Sequence, residues 1–479
     1  MIKQLSFKYE TLISALIVLF TMIFSLFTKN QTILTMAIFV ILMFVILLSL
    51  VNFRIGVLVL SSSCSLNGFI RINDLDNPIT AGFVFLLSLL LLSIILLIFI
   101  SKTKCTIPKA GFNFVAIYIL ILCLLFIYIV LGSVNLLSFL LYMREYFVPL
   151  LVFFIFFHVL KKDLQLFNKI ITFIVLTAAI VATVNIYHYF FGLDIVFNQF
   201  VGIYRYISSD KPDVFIPFVR NLLGYEVVRL QHILGVGGEA AGGLFYMFMS
   251  VLSLLAMKYK KLFLSILLFT SSVILACAAI LTVSSSVTLL ILSFIFWVVI
   301  FKLFHHPSTL RLLIFTIVVL FLLLILLYPF GITENHDSIF NYAIHAFIGK
   351  FLNDFFAFSL LDHIVGLGLS LPGKGGQIEG TLWTQPDLWI FSLYVQFGFI
   401  GFLIFLTFWL YPLFKITFNK TKLSQDIKYI LFICGFIIIA SFTSAHAVAI
   451  LLRLFTPLLM LAFATFYASF YVNYVKNPH

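Results

Sequence analysis

Charge is scarce in this chain. Of its 479 residues, 10% are Asp, Glu, Lys or Arg and 63% are hydrophobic. Soluble domains carry about a quarter of their residues as charges, so a freestanding water-soluble protein is excluded. Acid is scarcer than base, 17 residues against 29. Cysteine is rare as well. Cys64, Cys105, Cys123, Cys277 and Cys434 make no CxxC, and none falls in a long polar stretch. That pattern supports neither a disulfide framework nor a zinc site. No internal repeat is found, and the Gly and polar breaks cluster in the C-terminal half. This argues against a transporter built from inverted repeats, whose halves would carry matching breaks. No polar stretch is long enough for a sizeable soluble core.

What the chain has is apolar runs. Phe alone numbers 60, and mean hydropathy is +1.21. Runs of about 20 apolar residues recur end to end, which predicts an all-α polytopic membrane protein. Hydropathy predicts about 14 spans: 11–27, 31–51, 55–70, 79–100, 111–131, 144–160, 166–190, 237–257, 262–281, 286–304, 311–329, 387–412, 428–444 and 448–470. The first follows Lys3 and Lys8 and lacks a small-residue cleavage site, so it is expected to be retained.

Lysine orients these spans. With the N-terminus inside, Lys102, Lys104, Lys109, Lys161, Lys162, Lys258, Lys260, Lys261, Lys415, Lys420, Lys422, Lys428 and Lys476 fall on the cytoplasmic side. Lys29, Lys211, Lys350 and Lys374 fall outside. The net charge of +12 is therefore the positive-inside signal and does not point to nucleic acid. Two long outer loops result, 191–236 and 330–386. The first holds a short alternating piece, Glu226 to Leu234, expected to be extended. The second holds a helical pattern over 339–358, expected as an amphipathic interfacial helix.

Arginine does not follow lysine. Arg54 and Arg311 lie inside, whereas Arg71, Arg144, Arg205, Arg220, Arg229 and Arg453 lie at or near the outer face. Arginine stays charged at low dielectric and grips phosphate bidentately. An outer arginine cluster therefore suits a diphosphate headgroup. Singly, each has a plainer account: Arg144 can pair with Glu145, and Arg205 and Arg220 can solvate a loop.

The most unusual stretch is Gly366 to Gly401. It is glycine-rich and polar until it re-enters the membrane at Asp387-Leu388-Trp389. Lipid cannot satisfy such a backbone, so the stretch belongs in a loop or against a cavity.

Three segments resemble the O-antigen polymerase and ligase superfamily of Wzy-like and WaaL-like membrane glycosyltransferases. The first runs from Arg229 through Gly235 and Glu239 to Gly242. The second is Gly366-Leu-Gly368. The third is Asp387-Leu388, then nine residues, then Gly398-Phe-Ile-Gly401. Ligases of that superfamily carry His where this chain has Asp387, which tilts the resemblance toward polymerase. Thr282 to Ser286 stands where many members have Ser-Arg, and it holds no arginine.

The resemblance implies a bacterial inner-membrane enzyme with cytoplasmic termini and a periplasmic site. It would transfer a glycan on undecaprenyl diphosphate to a new lipid-linked repeat unit. Implied partners are the lipid-linked glycans, membrane lipid, a chain-length regulator and a flippase. No cofactor or metal is implied. The enzyme must hold two diphosphates and deprotonate a sugar hydroxyl. Arg229, Arg220, Arg205, Arg144 and Arg453 are the candidates for the first task; Asp387, Glu239, His363 and His336 are candidates for the second. Asp387 and Glu239 could instead complement a helix macrodipole. A competing Asp74-Leu-Asp76 pair could bind Mg²⁺, although turn residues before Pro78 explain it as well.

Overall fold

The computed structural model describes residues 2–27, 31–52, 54–62, 149, 151–191, 219–222, 225–228, 239–258, 260–282, 285–304, 360–366, 389–418, 424–443 and 456–476. Within them the chain is helical apart from one hairpin. The helices are α1 (Ile2–Phe27), α2 (Gln31–Val51), α3 (Leu166–Phe191), α4 (Glu239–Ala256), α5 (Leu262–Leu281), α6 (Ser285–Phe304), α7 (Leu360–Val365), α8 (Trp389–Phe418), α9 (Gln425–Thr443) and α10 (Thr456–Lys476). Residues 54–62 and Leu151–Leu160 are helical too. Two of these helices, α3 and α5, are long and apolar enough to cross a membrane.

The bounds of α2, α3, α5 and α6 fall within a residue of the hydropathy segments. α1 starts earlier than expected and α10 ends later. A helix satisfies its own backbone, so it can continue through polar flanks that hydropathy excludes. The expected segments 79–100, 111–131, 311–329 and 339–358 lie outside the described residues.

The all-α expectation holds for the described residues, with one short hairpin added. Strands β1 (Val219–Leu222) and β2 (Tyr225–Val228) pair antiparallel, with Val219 opposite Val228 and Leu222 opposite Tyr225. Val, Tyr and Leu suit a pleated strand, and the intervening Leu-Gly is a hairpin signal. Of the expected extended piece, Glu226 to Leu234, residues 226–228 lie in β2, whose partner β1 lies upstream, and residues 229–234 lie outside the described residues.

Large apolar side chains lie exposed on several helices, and α1 buries polar side chains beside Ile17, Val18 and Met22. On α1, Glu10, Ser14 and Thr21 are buried while Leu12, Leu16, Phe20 and Ile23 are exposed. On α5, Phe263 is 80% exposed and Leu262 78%. Hydroxyls turn back onto their own helices. Thr177 donates to the Phe173 carbonyl at 2.9 Å and Ser441 to the Ile437 carbonyl at 2.7 Å. Thr270, on the exposed face of α5, still donates to the Ile266 carbonyl at 3.0 Å. Such back-bonds satisfy a hydroxyl without water.

The core is built on α3 to α6, α9 and α10. Ser250 Oγ donates to the Ser272 carbonyl at 2.9 Å and Ser253 Oγ to the Leu268 carbonyl at 2.6 Å. The partner number falls as the first rises, so α4 and α5 are antiparallel. α6 meets α9 through Trp297, whose indole N–H donates to the Phe432 carbonyl at 2.9 Å. A Cβ on Gly435 would lie 2.0 Å from Trp297 Cζ2, so only glycine leaves room for that ring.

One end of the bundle gathers charge. Arg54 bridges Glu10 at 3.6 Å and Asp163 at 3.4 Å. Asn52 Nδ2 donates to Glu10 Oε1 at 2.8 Å. Lys258 Nζ sits 4.0 Å over the Tyr429 ring, and the Tyr429 hydroxyl donates to the Leu255 carbonyl. Burial, and then the charge of Lys169, push the Lys260 ammonium below its ordinary pKa.

Candidate functional site

The glycine-rich stretch closes on itself. α7 ends at Gly366, whose φ of 86° is the left-handed conformation that stops a helix. α8 breaks inside at Gly398, with φ 61° and ψ −166°. These two points touch. A Cβ on Gly398 would lie 2.5 Å from the Gly366 nitrogen and from the Ile364 carbonyl group. Backbone meets backbone, and no side chain fits between. The C-terminal end of α7, which lies within the expected second loop, therefore seats in a notch that the α8 break creates.

His363 and Tyr394 face each other beside this contact. His363 Nδ1 and the Tyr394 hydroxyl are 2.8 Å apart, and the rings are 6.2 Å apart between centroids. Both are half-buried. Tyr394 also meets Phe402 edge-on at 6.0 Å, so its ring spans the break. A histidine oriented by a phenol can pass a proton to or from a neighbouring hydroxyl.

The other expected residues separate into two groups. Glu239 is the first residue of α4, after Gly237-Gly238. Arg220 lies in β1, opposite Val227. Asp387, His336, Arg144, Arg205, Arg229 and Arg453 lie outside the described residues, as do Asp74 and Asp76. Of the candidate bases, His363 is the one whose side chain is described, and it meets Tyr394. Among the described residues, no group of three or more His, Cys, Asp or Glu could hold a metal ion.

Sequence reasoning missed Tyr394 and the pair Asn185 and Tyr246. In that pair the Asn185 amide donates to the Tyr246 hydroxyl, with both residues fully buried. Spacing held a signal for each. Tyr394 is seven residues after Asp387, and Tyr246 is seven after Glu239. Seven residues is close to two helical turns.

No family model matches this chain, and neither does any curated protein or solved structure.

Proposed function

We propose that this protein is a polytopic inner-membrane glycosyltransferase of the Wzy-like polymerase kind. It would extend lipid-diphosphate-linked glycan on the periplasmic face without a metal. The observation that carries this reading is the Gly366–Gly398 contact with His363 and Tyr394 beside it. It seats the C-terminal end of α7, within the expected outer loop, on the Gly-x-x-Gly segment that carries part of the resemblance. In this reading His363, held by Tyr394, joins Asp387 and Glu239 as a candidate base, and the outer arginines hold the diphosphates.

A membrane setting is supported by the length and apolarity of α3 and α5 and by the exposed apolar side chains of α1 and α5. The proposed orientation has support as well. Glu10, Arg54, Asp163, Lys258 and Lys260 all belong to the side that lysine counting makes cytoplasmic, and they gather at one end.

The test is a gel of surface glycan from a strain lacking the protein. A lost polymerase leaves single repeat units. Long chains stranded on the carrier lipid would mean a ligase instead, and cytoplasm-facing intermediates a flippase. Arg229→Ala and Asp387→Ala should each shorten chains while the protein still inserts; wild-type lengths would remove those residues from the site.

A further inference from the structure

Acid is nearly missing from the charged end of the bundle. Of the chain's 17 acidic residues, Glu10, Asp163 and Asp426 are those that fall on the side where lysine counting puts the N-terminus. Arg54 takes two of them, Glu10 at 3.6 Å and Asp163 at 3.4 Å. Asp426 is exposed in the first turn of α9. The lysines of that end are left short of counter-charge.

The shortage meets burial at Lys260. This residue stands in the turn between α4 and α5, and α5 packs against both α4 and α3. Its backbone is held from two sides. The Lys260 N–H donates to the Met257 carbonyl at 3.0 Å, and the Ser265 hydroxyl donates to the Lys260 carbonyl at 3.4 Å. The side chain is half-buried. Lys169, the fourth residue of α3, is half-buried too and near enough to oppose the Lys260 charge. Asp163, Arg54 and Glu10 lie within electrostatic reach of Lys169. Three cations therefore face two carboxylates here, and among the described residues no ion pair reaches Lys260. A half-buried cation without a partner is destabilising, and a bound anion would relieve it. The N-terminus of α5, which has no side-chain cap, adds partial positive charge at the same place.

From that point α5 turns an apolar stripe outward. Leu262, Ile266, Phe269 and Val273 are exposed at helical spacing. α5 is long and apolar enough to cross a membrane. Positive charge at the head of such a helix, with bare hydrocarbon along its side, matches a lipid with an anionic headgroup. A soluble anion would not use the stripe. A zwitterionic lipid brings its own cation to the phosphate. Basic pockets between spans recognise anionic headgroups in this way.

We propose that Lys260 and Lys169 hold the phosphate of an anionic lipid whose acyl chain lies along Leu262, Ile266, Phe269 and Val273. The site rests on the membrane setting proposed above and not on glycan transfer.

The experiment titrates phosphatidylglycerol into the full-length protein in a neutral detergent. It reads bound lipid by native mass spectrometry and stability by the thermal midpoint. Phosphatidylglycerol should bind and raise the midpoint, and phosphatidylcholine with the same acyl chains should bind more weakly. Lys260→Met and Lys169→Met should each weaken phosphatidylglycerol binding about fivefold, the worth of one lysine at an anionic surface. Lys260→Arg should retain it. Lys415→Met removes the same charge from an exposed lysine of α8 and should leave binding unchanged. Equal binding of the two lipids would overturn the proposal. So would an equal loss in Lys415→Met, which would mean diffuse attraction to the surface. If inorganic phosphate matched the rise in midpoint and Lys260→Met abolished it, the site would be one for free anion, and the lipid would fall. Recovery of the chain in the soluble fraction without detergent would remove the membrane setting itself. A membrane protein indifferent to phosphatidylglycerol would lose this site alone and leave glycan transfer untouched.

Discussion

The Gly398 backbone is packed against Gly366 so closely that a methyl group on Gly398 has no place to go. A Cβ on Gly398 would meet backbone atoms at 2.5 Å, and φ at that residue is 61°. Gly398→Ala therefore carries a left-handed strain of about 1–2 kcal/mol in addition to the clash. The expected outcome is that α7 is displaced from α8 and chain extension is lost, with membrane insertion intact. Crosslinking between cysteines placed at positions 362 and 395 in wild type, and its loss in the variant, would register the displacement.

His363 and Tyr394 share one hydrogen bond. If the pair acts as one unit, His363→Ala should slow extension by about 10²–10⁴-fold, the usual worth of a general base. Adding Tyr394→Phe to that variant should cost little more. Rates for the two single variants and the double, measured on lipid-linked repeat units, give the coupling. Full additivity would mean the two residues work separately.

Arg54 holds the carboxylate of Glu10, which is 6% exposed, and that of Asp163, which is 33% exposed. Arg54→Met leaves a buried carboxylate without its cation. Because Arg54 is itself partly exposed, the expected loss is about 1–3 kcal/mol, less than for a fully buried pair. Glu10→Gln in the same background should restore part of it. Thermal midpoints in detergent measure both.

Lys260 is destabilising while charged. Burial and Lys169 lower its pKa from 10.5 in the folded protein, so the unfolded chain holds that proton more tightly. Below the folded pKa both states are protonated and the folded state bears the cost in full. As pH rises from there toward 10.5 the folded state releases its proton first, and the cost diminishes. Lys260→Met should therefore raise the thermal midpoint at pH 7, and the gain should shrink as pH approaches 10.5. A gain that does not change with pH would point to improved packing instead.

Much of the helical framework was legible because hydropathy reports a local property. The bounds of α2, α3, α5 and α6 follow from apolar runs alone. The hairpin was half legible. Alternation marked Glu226 to Leu234, which overlaps the strand Tyr225–Val228 at residues 226–228, but the partner Val219–Leu222 could be chosen only by pairing. Gly398 was picked out as part of a spaced motif, yet nothing in the spacing says that it meets Gly366. His363 entered as one histidine among several, and Tyr394 did not enter at all.

By itself the sequence determined which stretches are helical and apolar, which stretches between them are polar, and how lysine and arginine are distributed along the chain. Those properties depend on each residue's own transfer energy and on its near neighbours. Only the tertiary structure decided that His363 and Tyr394, 31 positions apart, share a hydrogen bond. Only it joined Asn185 to Tyr246, 61 positions away. Such pairs depend on how the helices pack, and in an apolar bundle many rotations and heights cost nearly the same. A few directional bonds and two touching glycines select among them.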